Sequence, residues 1–311
     1  TGQTISVSTG ATTGQGGVQS LKVYETFMPP VGGTADRPTD VKPGMVYYNK
    51  DFKTIEFWDG NFWKQVDNTT RRGRGLFAGG RTPSFPSTIE FIEISSLGNG
   101  QDFGDLTVAR ESISNNVASR IRGLFGGGYH PGAGDDEIDY VTMASEGNAI
   151  DFGNLSAERY SPGGGASSTR GIFAGGDSSP NIEFITIMTT GNSTDFGSLR
   201  FGTVAADGCS NATRGIMKLR GSSYVNTIDF LTIATLGNAI NFGDATNNAG
   251  GTAPMASSTR AVFAGGYGAP AFRNDIFKVE IATTGNAVDF GGDVSYSADH
   301  LAGFSNGHGG L

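Results

Sequence analysis

A pattern of short apolar runs separated by glycine- and asparagine-rich turns recurs five times along the chain. Each repeat begins with an arginine, a small residue and two apolar residues, and most of these runs close on Gly-Gly. A β-branched run follows, and the repeat ends on Gly-Asn and then Asp-Phe-Gly or Asn-Phe-Gly. Short apolar runs bounded by turn residues predict β-strands. Since helix signals are nearly absent, the pattern predicts an all-β fold.

The spacing of the repeats indicates how the strands are grouped. The opening arginines are Arg74, Arg122, Arg170, Arg214 and Arg260, spaced 48, 48, 44 and 46 residues apart. Each repeat holds three apolar runs and a weaker run of small residues, such as Gly163–Ser168. Four short strands in a period of this length are typical of a propeller blade. The sequence therefore predicts a five-bladed β-propeller.

The ends of the repeat region bear on how such a propeller closes. The first repeat lacks a small-residue strand before Arg74, whereas Ala302–Asn306 near the C-terminus has that character. We expect the C-terminal strand to complete the first blade, because a closed ring removes exposed sheet edges. The alternative, an open solenoid of five repeats, needs polar capping repeats that the sequence does not contain.

Two further regions precede the repeats. Residues 1–20 are polar and glycine-rich, and we expect an extended arm that is ordered only in an assembly. Residues 21–68 are predicted to form a small β module, with strands at Met45–Asn49, Thr54–Trp58 and Phe62–Val66. Asp59-Gly60 is a strong hairpin signal between the last two strands. The propeller would then occupy residues 69–311.

Composition excludes several classes of protein. The net charge of −8 argues against nucleic-acid binding. No apolar stretch is long enough to predict membrane insertion, and the single cysteine, Cys209, excludes an intrachain disulfide framework. No catalytic, metal-binding or cofactor-binding constellation is visible, so we expect no enzyme, no metal and no cofactor. Asp-Phe-Gly also occurs in kinases, but a catalytic metal ligand does not recur in every repeat of a fold.

The repeats resemble the kelch type of β-propeller. The matching segments are Phe77-Ala78-Gly79-Gly80, Phe125-Gly126-Gly127-Gly128, Phe173-Ala174-Gly175-Gly176 and Phe263-Ala264-Gly265-Gly266. The fourth repeat departs from this pattern with Met217-Lys218-Leu219-Arg220, and Asp-Phe-Gly replaces the later Tyr/Trp pair of the kelch family.

A second resemblance concerns the setting of the protein. The repeated segments Thr-Arg-Gly-Ile-Phe-Ala-Gly-Gly and Gly-Asn-Ala-x-Asp-Phe-Gly are similar to the repeats of propeller-type structural proteins of marine, cyanophage-like tailed bacteriophages. Arg37-Pro38 through Trp63 resembles a small β module of phage tail-fibre and appendage proteins. These resemblances imply a component of the virion exterior, anchored to other virion proteins through residues 1–68.

Two sets of residues are singled out by the repeats. The phenylalanines that follow Asp or Asn are expected to fill the space between adjacent blades; they are Phe103, Phe152, Phe196, Phe242 and Phe290. The opening arginines are expected to pair with Asp102, Asp151, Asp195 and Asp289 or to bond backbone carbonyl groups.

The most variable segments follow the Gly-Gly strands and are expected to emerge on one face of the ring; they are Arg81–Ser87, Tyr129–Glu137, Asp177–Asn181, Arg220–Thr227 and Tyr267–Asp275. Their candidate ligand-binding residues are Phe85, Tyr129, His130, Tyr224, Tyr267, Phe272 and Arg273. Aromatic side chains on loops over a rigid scaffold suit binding, including stacking on sugars. The alternative is that they fold back onto their own blades.

The sequence thus favours a non-enzymatic structural protein of a tailed-phage particle, a tail fibre, appendage or surface decoration that displays its propeller outward. The alternative is a lectin-like module that binds carbohydrate on the host surface. A homo-oligomer is compatible with either reading.

Overall fold

The computed structural model describes residues 28–51, 54–61, 63–66, 74–81, 83–94, 99–114, 116–221 and 225–298. The predicted arm and the predicted closing segment, Ala302–Asn306, lie outside these residues. The chain divides into two compact units, Thr1–Arg71 and Arg72–Leu311. Their described parts are built from strands, with a single turn of 3-10 helix at Thr34–Asp36. The prediction of an all-β fold is confirmed.

The first unit holds one four-stranded sheet. Its strands are β1 (Val31–Gly32), β2 (Val46–Asn49), β3 (Thr54–Trp58) and β4 (Trp63–Val66). β1 runs parallel to β2, and the other neighbours are antiparallel. The β3–β4 hairpin turns at Asp59-Gly60, where the Asn61 amide donates to Asp59 Oδ1 at 2.8 Å.

A buried carboxylate ties the first unit together. Glu56 is fully buried, and the Arg37 guanidinium donates to both of its oxygens at 2.7 and 2.9 Å. Asn49 Nδ2 adds a third bond at 3.2 Å. A two-pronged arginine–carboxylate pair fixes geometry as well as charge, so Arg37 holds the segment before β2 against the sheet.

The described part of the second unit contains one three- or four-stranded sheet for each sequence repeat, which we call sheets 1 to 5, and one additional two-stranded hairpin. Sheet 1 comprises β5 (Arg74–Ala78), β6 (Thr88–Glu93) and β7 (Gln101–Asp105). Sheet 2 comprises β8 (Arg122–His130), β9 (Ala133–Thr142) and β10 (Ile150–Asn154). Sheet 3 comprises β11 (Gly163–Ala166), β12 (Arg170–Ala174), β13 (Ser179–Thr186) and β14 (Thr194–Thr203).

Sheets 4 and 5 have four strands each, as sheet 3 does, whereas sheets 1 and 2 have three. Sheet 4 comprises β15 (Ala205–Ser210), β16 (Arg214–Arg220), β17 (Thr227–Thr232) and β18 (Ile240–Asp244). Sheet 5 comprises β19 (Ala253–Ala256), β20 (Arg260–Ala264), β23 (Asp275–Glu280) and β24 (Val288–Asp293), with a small hairpin of β21 (Tyr267–Gly268) and β22 (Ala271–Phe272) between β20 and β23. Within every sheet, paired strands are antiparallel.

The Asp-Phe-Gly segments form β-bulges. In sheet 3, Ile182 pairs with Gly197 and Glu183 pairs with Asp195, so Phe196 is an extra residue in β14. The same shift occurs at the corresponding phenylalanine in sheets 1, 2 and 4. A bulge inserts an unpaired residue and redirects its side chain. Here it turns the ring inward, and the exposed fraction of Phe196 is 3%.

The glycine after each bulged phenylalanine permits close contact with the next sheet. Gly197 has φ +146°, a conformation that residues with a Cβ rarely adopt. A Cβ at this position would also collide with the backbone of Gly237, which belongs to the turn before β18 of sheet 4. The Phe196 carbonyl accepts a hydrogen bond from the Gly237 amide at 2.8 Å.

The junction between sheets 3 and 4 is one of four that share the same bonds. The Gly-Asn turn of the later sheet supplies an amide to the phenylalanine carbonyl at 2.7–2.8 Å in each junction. The asparagine of that turn accepts from a backbone amide of the earlier sheet, as Asn238 Oδ1 does from Ser198 at 3.1 Å. Equivalent bonds join Asp105 to Asn148, Asn154 to Asn192 and Asp244 to Asn286.

The hydrophobic core is divided among these junctions. Phe152 and Leu155 of repeat 2 pack with Phe173 and Ile185 of repeat 3 in one buried cluster. Three further clusters join repeats 1 and 2, 3 and 4, and 4 and 5. Consecutive sheets therefore bury the faces that they turn toward each other, as stacked repeats do.

The two end sheets differ from the others. Phe290 was predicted to fill a space between blades, but half of its surface is exposed, and no described residue lies within 4 Å of a Cβ built on Gly291. Phe77 of sheet 1 is 38% exposed, whereas its counterparts Phe173 and Phe263 are fully buried. Phe290 and Phe77 are exposed because the described residues place no further sheet against them.

Candidate binding face

The opening arginines bond backbone carbonyl groups of the following sheet. Arg122 donates to Ile187 O at 2.8 Å, Arg170 to Ile233 O at 3.0 Å and Arg214 to Ile281 O at 2.9 Å. Each guanidinium also lies over an aromatic ring of its own sheet, at 4.2 Å from the Tyr140 centroid for Arg122. The arginines therefore belong to the junctions.

Arg74 makes the same kind of carbonyl bond and also has acidic partners, whereas Arg260 has different surroundings. Arg74 donates to Met143 O at 3.1 Å and pairs with Glu93 and Glu146. Arg260 is half exposed and pairs with Glu280 of its own sheet at 2.8 Å. The alternative of pairing with the Asp-Phe-Gly aspartates does not occur at any of the five arginines. Asp151 and Asp289 instead accept from the glycine amide two residues on.

A second series of buried charges was not predicted from the sequence. Arg159 and Glu183 form a buried ion pair between the β10–β11 connection and β13. The buried pair Arg110–Asp139, at 3.2 Å, occupies the corresponding place between sheets 1 and 2. Asp229 is the buried counterpart of Glu183 in sheet 4, but its partner Arg200 comes from β14 and is partly exposed, at 2.6 Å. The sequence does contain a signal for the two buried arginines, because Arg110 and Arg159 each lie seven residues after the phenylalanine of an Asp-Phe-Gly segment.

Hydrogen bonds govern the protonation of Glu183. Burial alone would raise the pKa of this carboxyl, but donors from Ser156, Ser193 and Arg159 outweigh it and hold the pKa below its ordinary value. Glu183 is therefore a buried carboxylate whose charge is matched by its partners. Its role is to join sheets 2 and 3.

The unusual fourth repeat holds a buried lysine. Lys218 takes the place of Ala174 and Ala264 and donates to the carbonyl groups of Leu219, Val225 and Ala249. Burial lowers its pKa to about 8, although the nearby Asp207 opposes this shift. Asp207 in turn accepts from the amide and hydroxyl of Thr252 at 2.9 and 2.7 Å. Lys218 and Asp207 therefore link sheet 4 to the segment that leads into sheet 5, through Ala249 and Thr252.

Three aromatic rings from separate segments meet beside the Gly-Gly strands of repeats 1 and 2. The Phe85 and Tyr129 centroids are 6.1 Å apart, and those of Tyr129 and Tyr160 are 6.2 Å apart. All three side chains are partly exposed. Tyr160 was not among the predicted residues, because it lies in the connection before β11 and not in a variable loop.

The other predicted residues are placed separately. Tyr267 and Phe272 face each other across the β21–β22 hairpin with centroids 5.1 Å apart, and the Arg273 amide donates to Gly266 O at 2.8 Å. His130 pairs with Ala133 beside Tyr129. Tyr224 lies outside the described residues. The structure thus forms two aromatic groups from the predicted set.

Some of the predicted loops contain regular structure, including Tyr129–Glu137 and the β21–β22 hairpin. Tyr129–Glu137 was expected to be an irregular segment, but β8 and β9 extend through it and turn at Pro131-Gly132. The prediction was wrong because variation between repeats was interpreted as a sign of a loop, whereas here the varied residues continue two paired strands. Pairing of Tyr129 with Gly134 and of Gly128 with Asp135 continues the ladder beyond the Gly-Gly positions.

The described part of the chain offers no group of three or more His, Cys, Asp or Glu side chains arranged to hold a metal. It also contains no helix of the length and apolarity needed to cross a membrane. No protein-family model matches the sequence, and no curated protein matches it.

Proposed function

We propose that sheets 1 to 5 are the blades of a five-bladed, kelch-like β-propeller. The four equivalent junctions support this, since each sheet follows the previous one with the same set of contacts. Asn116 lies at the inner edge of sheet 2 and donates to Gly208 O of sheet 4 at 2.9 Å and to Pro254 O of sheet 5 at 3.2 Å. In a ring of five, the second blade faces the gap between the fourth and the fifth.

The proposed ring closes by a fifth junction between sheet 5 and sheet 1. Its two halves are the exposed Phe290 segment of β24 and the exposed surface around Phe77 and Asn99. Phe290 is the counterpart of the bulged phenylalanines, and Phe77 is the counterpart of Phe173 and Phe263. These counterparts are buried in the formed junctions. We expect the C-terminal segment, which lies outside the described residues, to supply the inner strand of the first blade, since the described sheet 1 has three strands.

The function that this architecture supports best is structural: a virion protein of a tailed phage, on the outside of the particle, that displays the propeller and is anchored through residues 1–68. The repeated motifs support this assignment because their side chains are used in holding sheets together. Asp-Phe-Gly forms bulges, and the repeated arginines bond the next sheet. A rigid scaffold with varied loops is suited to display.

Removing residues 1–20 tests the anchoring part of this proposal. A polar, glycine-rich segment can offer mainly backbone hydrogen bonds, so strand addition to a neighbouring protein is its natural mode of docking. We expect the truncated protein to keep the melting temperature of the full chain but to be absent from purified particles. A Phe272→Ala variant, altered on an exposed ring far along the chain, should be incorporated normally. Normal incorporation of the truncated protein would place the anchor elsewhere.

A second candidate function is recognition of carbohydrate on the host surface. The observation that favours it is the group of partly exposed rings at Phe85, Tyr129 and Tyr160. Exposed aromatic groups supply flat apolar faces against which sugar rings can stack. Screening the full chain on an array of oligosaccharides tests this function, and it is compatible with the structural role.

A further inference from the structure

The rings of Phe85, Tyr129 and Tyr160 form a continuous surface, which we call the aromatic ladder. Phe85 comes from the segment before β6, Tyr129 from the end of β8 and Tyr160 from the connection between β10 and β11. Successive planes are inclined by 54° and 84°, so the rings present both faces and edges. A surface assembled from three distant segments depends on the fold of repeats 1 to 3.

Polar groups border the ladder on both sides. The Tyr160 hydroxyl donates to the exposed carboxylate of Asp177, and this bond, with burial, raises the tyrosine pKa. Glu111 is joined to Tyr129 by two backbone bonds of 2.9 and 2.7 Å. Its carboxylate lies 3.5 Å from the Arg81 guanidinium, which is 72% exposed. Hydrogen-bonding groups of both charges are thus within reach of a molecule resting on the rings.

The backbone around the ladder is held in an unusual conformation. Non-glycine residues with positive φ include Ser112, Ser161, Asp177 and Ser178, and all four adjoin the ladder or its polar border. The Ser161 amide donates to Ser112 O at 2.7 Å, and the Ser178 amide donates to Thr203 O at 2.9 Å. Such conformations are uncommon for residues with a side chain and persist where the surroundings fix them. The ladder is therefore a fixed surface.

We propose that the aromatic ladder binds a neutral saccharide, with pyranose rings stacked on Tyr129 and Tyr160 and hydroxyl groups bonded to Asp177, Glu111 and Arg81. This site rests on the second candidate function. Sugar rings have an apolar C–H face and a hydroxyl-rich edge, which the rings and their polar border complement. The two carboxylates and the net charge of −8 disfavour acidic glycans.

The ladder offers a matched internal control. Tyr267 belongs to the second aromatic pair, with Phe272, and is likewise partly exposed. Tyr129→Ala, Tyr160→Ala and Tyr267→Ala each remove a tyrosine side chain. The first two remove it from the ladder, and the third removes it from the second aromatic pair. Tyr160→Phe keeps the ring and removes only the hydroxyl bond to Asp177.

The test is binding of the full chain and these variants to an array of neutral and acidic oligosaccharides, followed by calorimetry with the best neutral binder. We expect Tyr129→Ala and Tyr160→Ala each to weaken binding about tenfold or more, a loss of about 1.4 kcal/mol. Tyr267→Ala should bind as the full chain does, and Tyr160→Phe should retain most of the affinity. Unchanged melting temperatures establish that the variants are folded.

Three outcomes would overturn the proposal in distinguishable ways. Binding lost in Tyr267→Ala and kept in Tyr129→Ala and Tyr160→Ala would leave carbohydrate recognition standing and move the site to the other pair. Preference for acidic oligosaccharides would contradict the assigned ligand class. Absence of binding to every oligosaccharide would remove both the site and the second candidate function. Should Tyr160→Ala fail to fold, Tyr129→Ala carries the test alone, and unchanged binding by that variant would overturn the proposal.

Discussion

Replacing Phe196 with alanine should lower the free energy of unfolding by about 3–5 kcal/mol. The ring is 3% exposed and meets Phe184 edge-on with centroids 6.1 Å apart. It lies in the core between sheets 3 and 4, so removing it opens a cavity in a junction and not only within one blade. Equilibrium denaturation with urea measures the loss, and Phe152→Ala should behave similarly.

The matched control for Phe196→Ala is Ile240→Ala. Ile240 is also an apolar strand residue beside an Asx-Phe-Gly bulge, but it is 61% exposed. We expect a change below about 1 kcal/mol for this variant, since an exposed side chain loses little buried area. A cost for Phe196→Ala as small as that of the control would mean that the bulged rings do not fill the junctions.

Replacing Glu183 with alanine should also cost about 3–5 kcal/mol, because it leaves the Arg159 guanidinium buried without its partner. The loss should exceed that of Glu183→Gln, which keeps hydrogen-bonding capacity toward Ser156 and Ser193. The control is Glu280→Ala, which breaks the exposed pair with Arg260 and should change stability little. Equal effects at Glu183 and Glu280 would contradict a structural role for the buried pair.

The sequence allowed the strands and their grouping to be predicted because both depend on local patterns. β-branched runs, Gly-Gly closures and Asp59-Gly60 are short-range signals, and the strands at Val46–Asn49 and Thr54–Trp58 lie where they were predicted. The all-β class follows from the same signals. The grouping of strands into one sheet per repeat follows from the period.

The partners of the repeated residues were harder to predict, because they depend on neighbouring sheets. The Asp-Phe-Gly pattern suggested an aspartate that is available for pairing with an arginine. The bulge at Phe196 instead leaves Asp195 exposed on the outer strand of its sheet. Arg122 was therefore given two alternatives, and the structure places it on Ile187 O. Buried partners such as Arg159 and Glu183 come from segments that no local pattern connects.

The candidate binding face shows the same limit. Aromatic residues in variable segments could be named from the sequence, but the group that assembles at Tyr129 includes Tyr160 from a connection. Asp177 joins it only through its bond to Tyr160. Which loop residues meet depends on how consecutive sheets are offset, and the spacing of the repeats alone does not determine that offset.

The central claim is that the five sheets close into a ring, and crosslinking across the fifth junction tests it most directly. In the formed junctions an asparagine bonds the residue after the bulge glycine, as Asn238 does with Ser198. The corresponding positions at the open ends are Asn99 and Gly292. The test variant is Asn99→Cys with Gly292→Cys, and the positive control is Ser198→Cys with Asn238→Cys. Cys209 does not interfere, because it is buried and burial raises its pKa.

A short bifunctional thiol reagent is added to dilute protein, and the products are resolved by mass. A closed ring predicts an intramolecular crosslink within single chains of the test variant, formed as readily as in the control and raising the melting temperature. Crosslinking of the control alone, or crosslinks in the test variant that join two chains, would contradict closure of the ring.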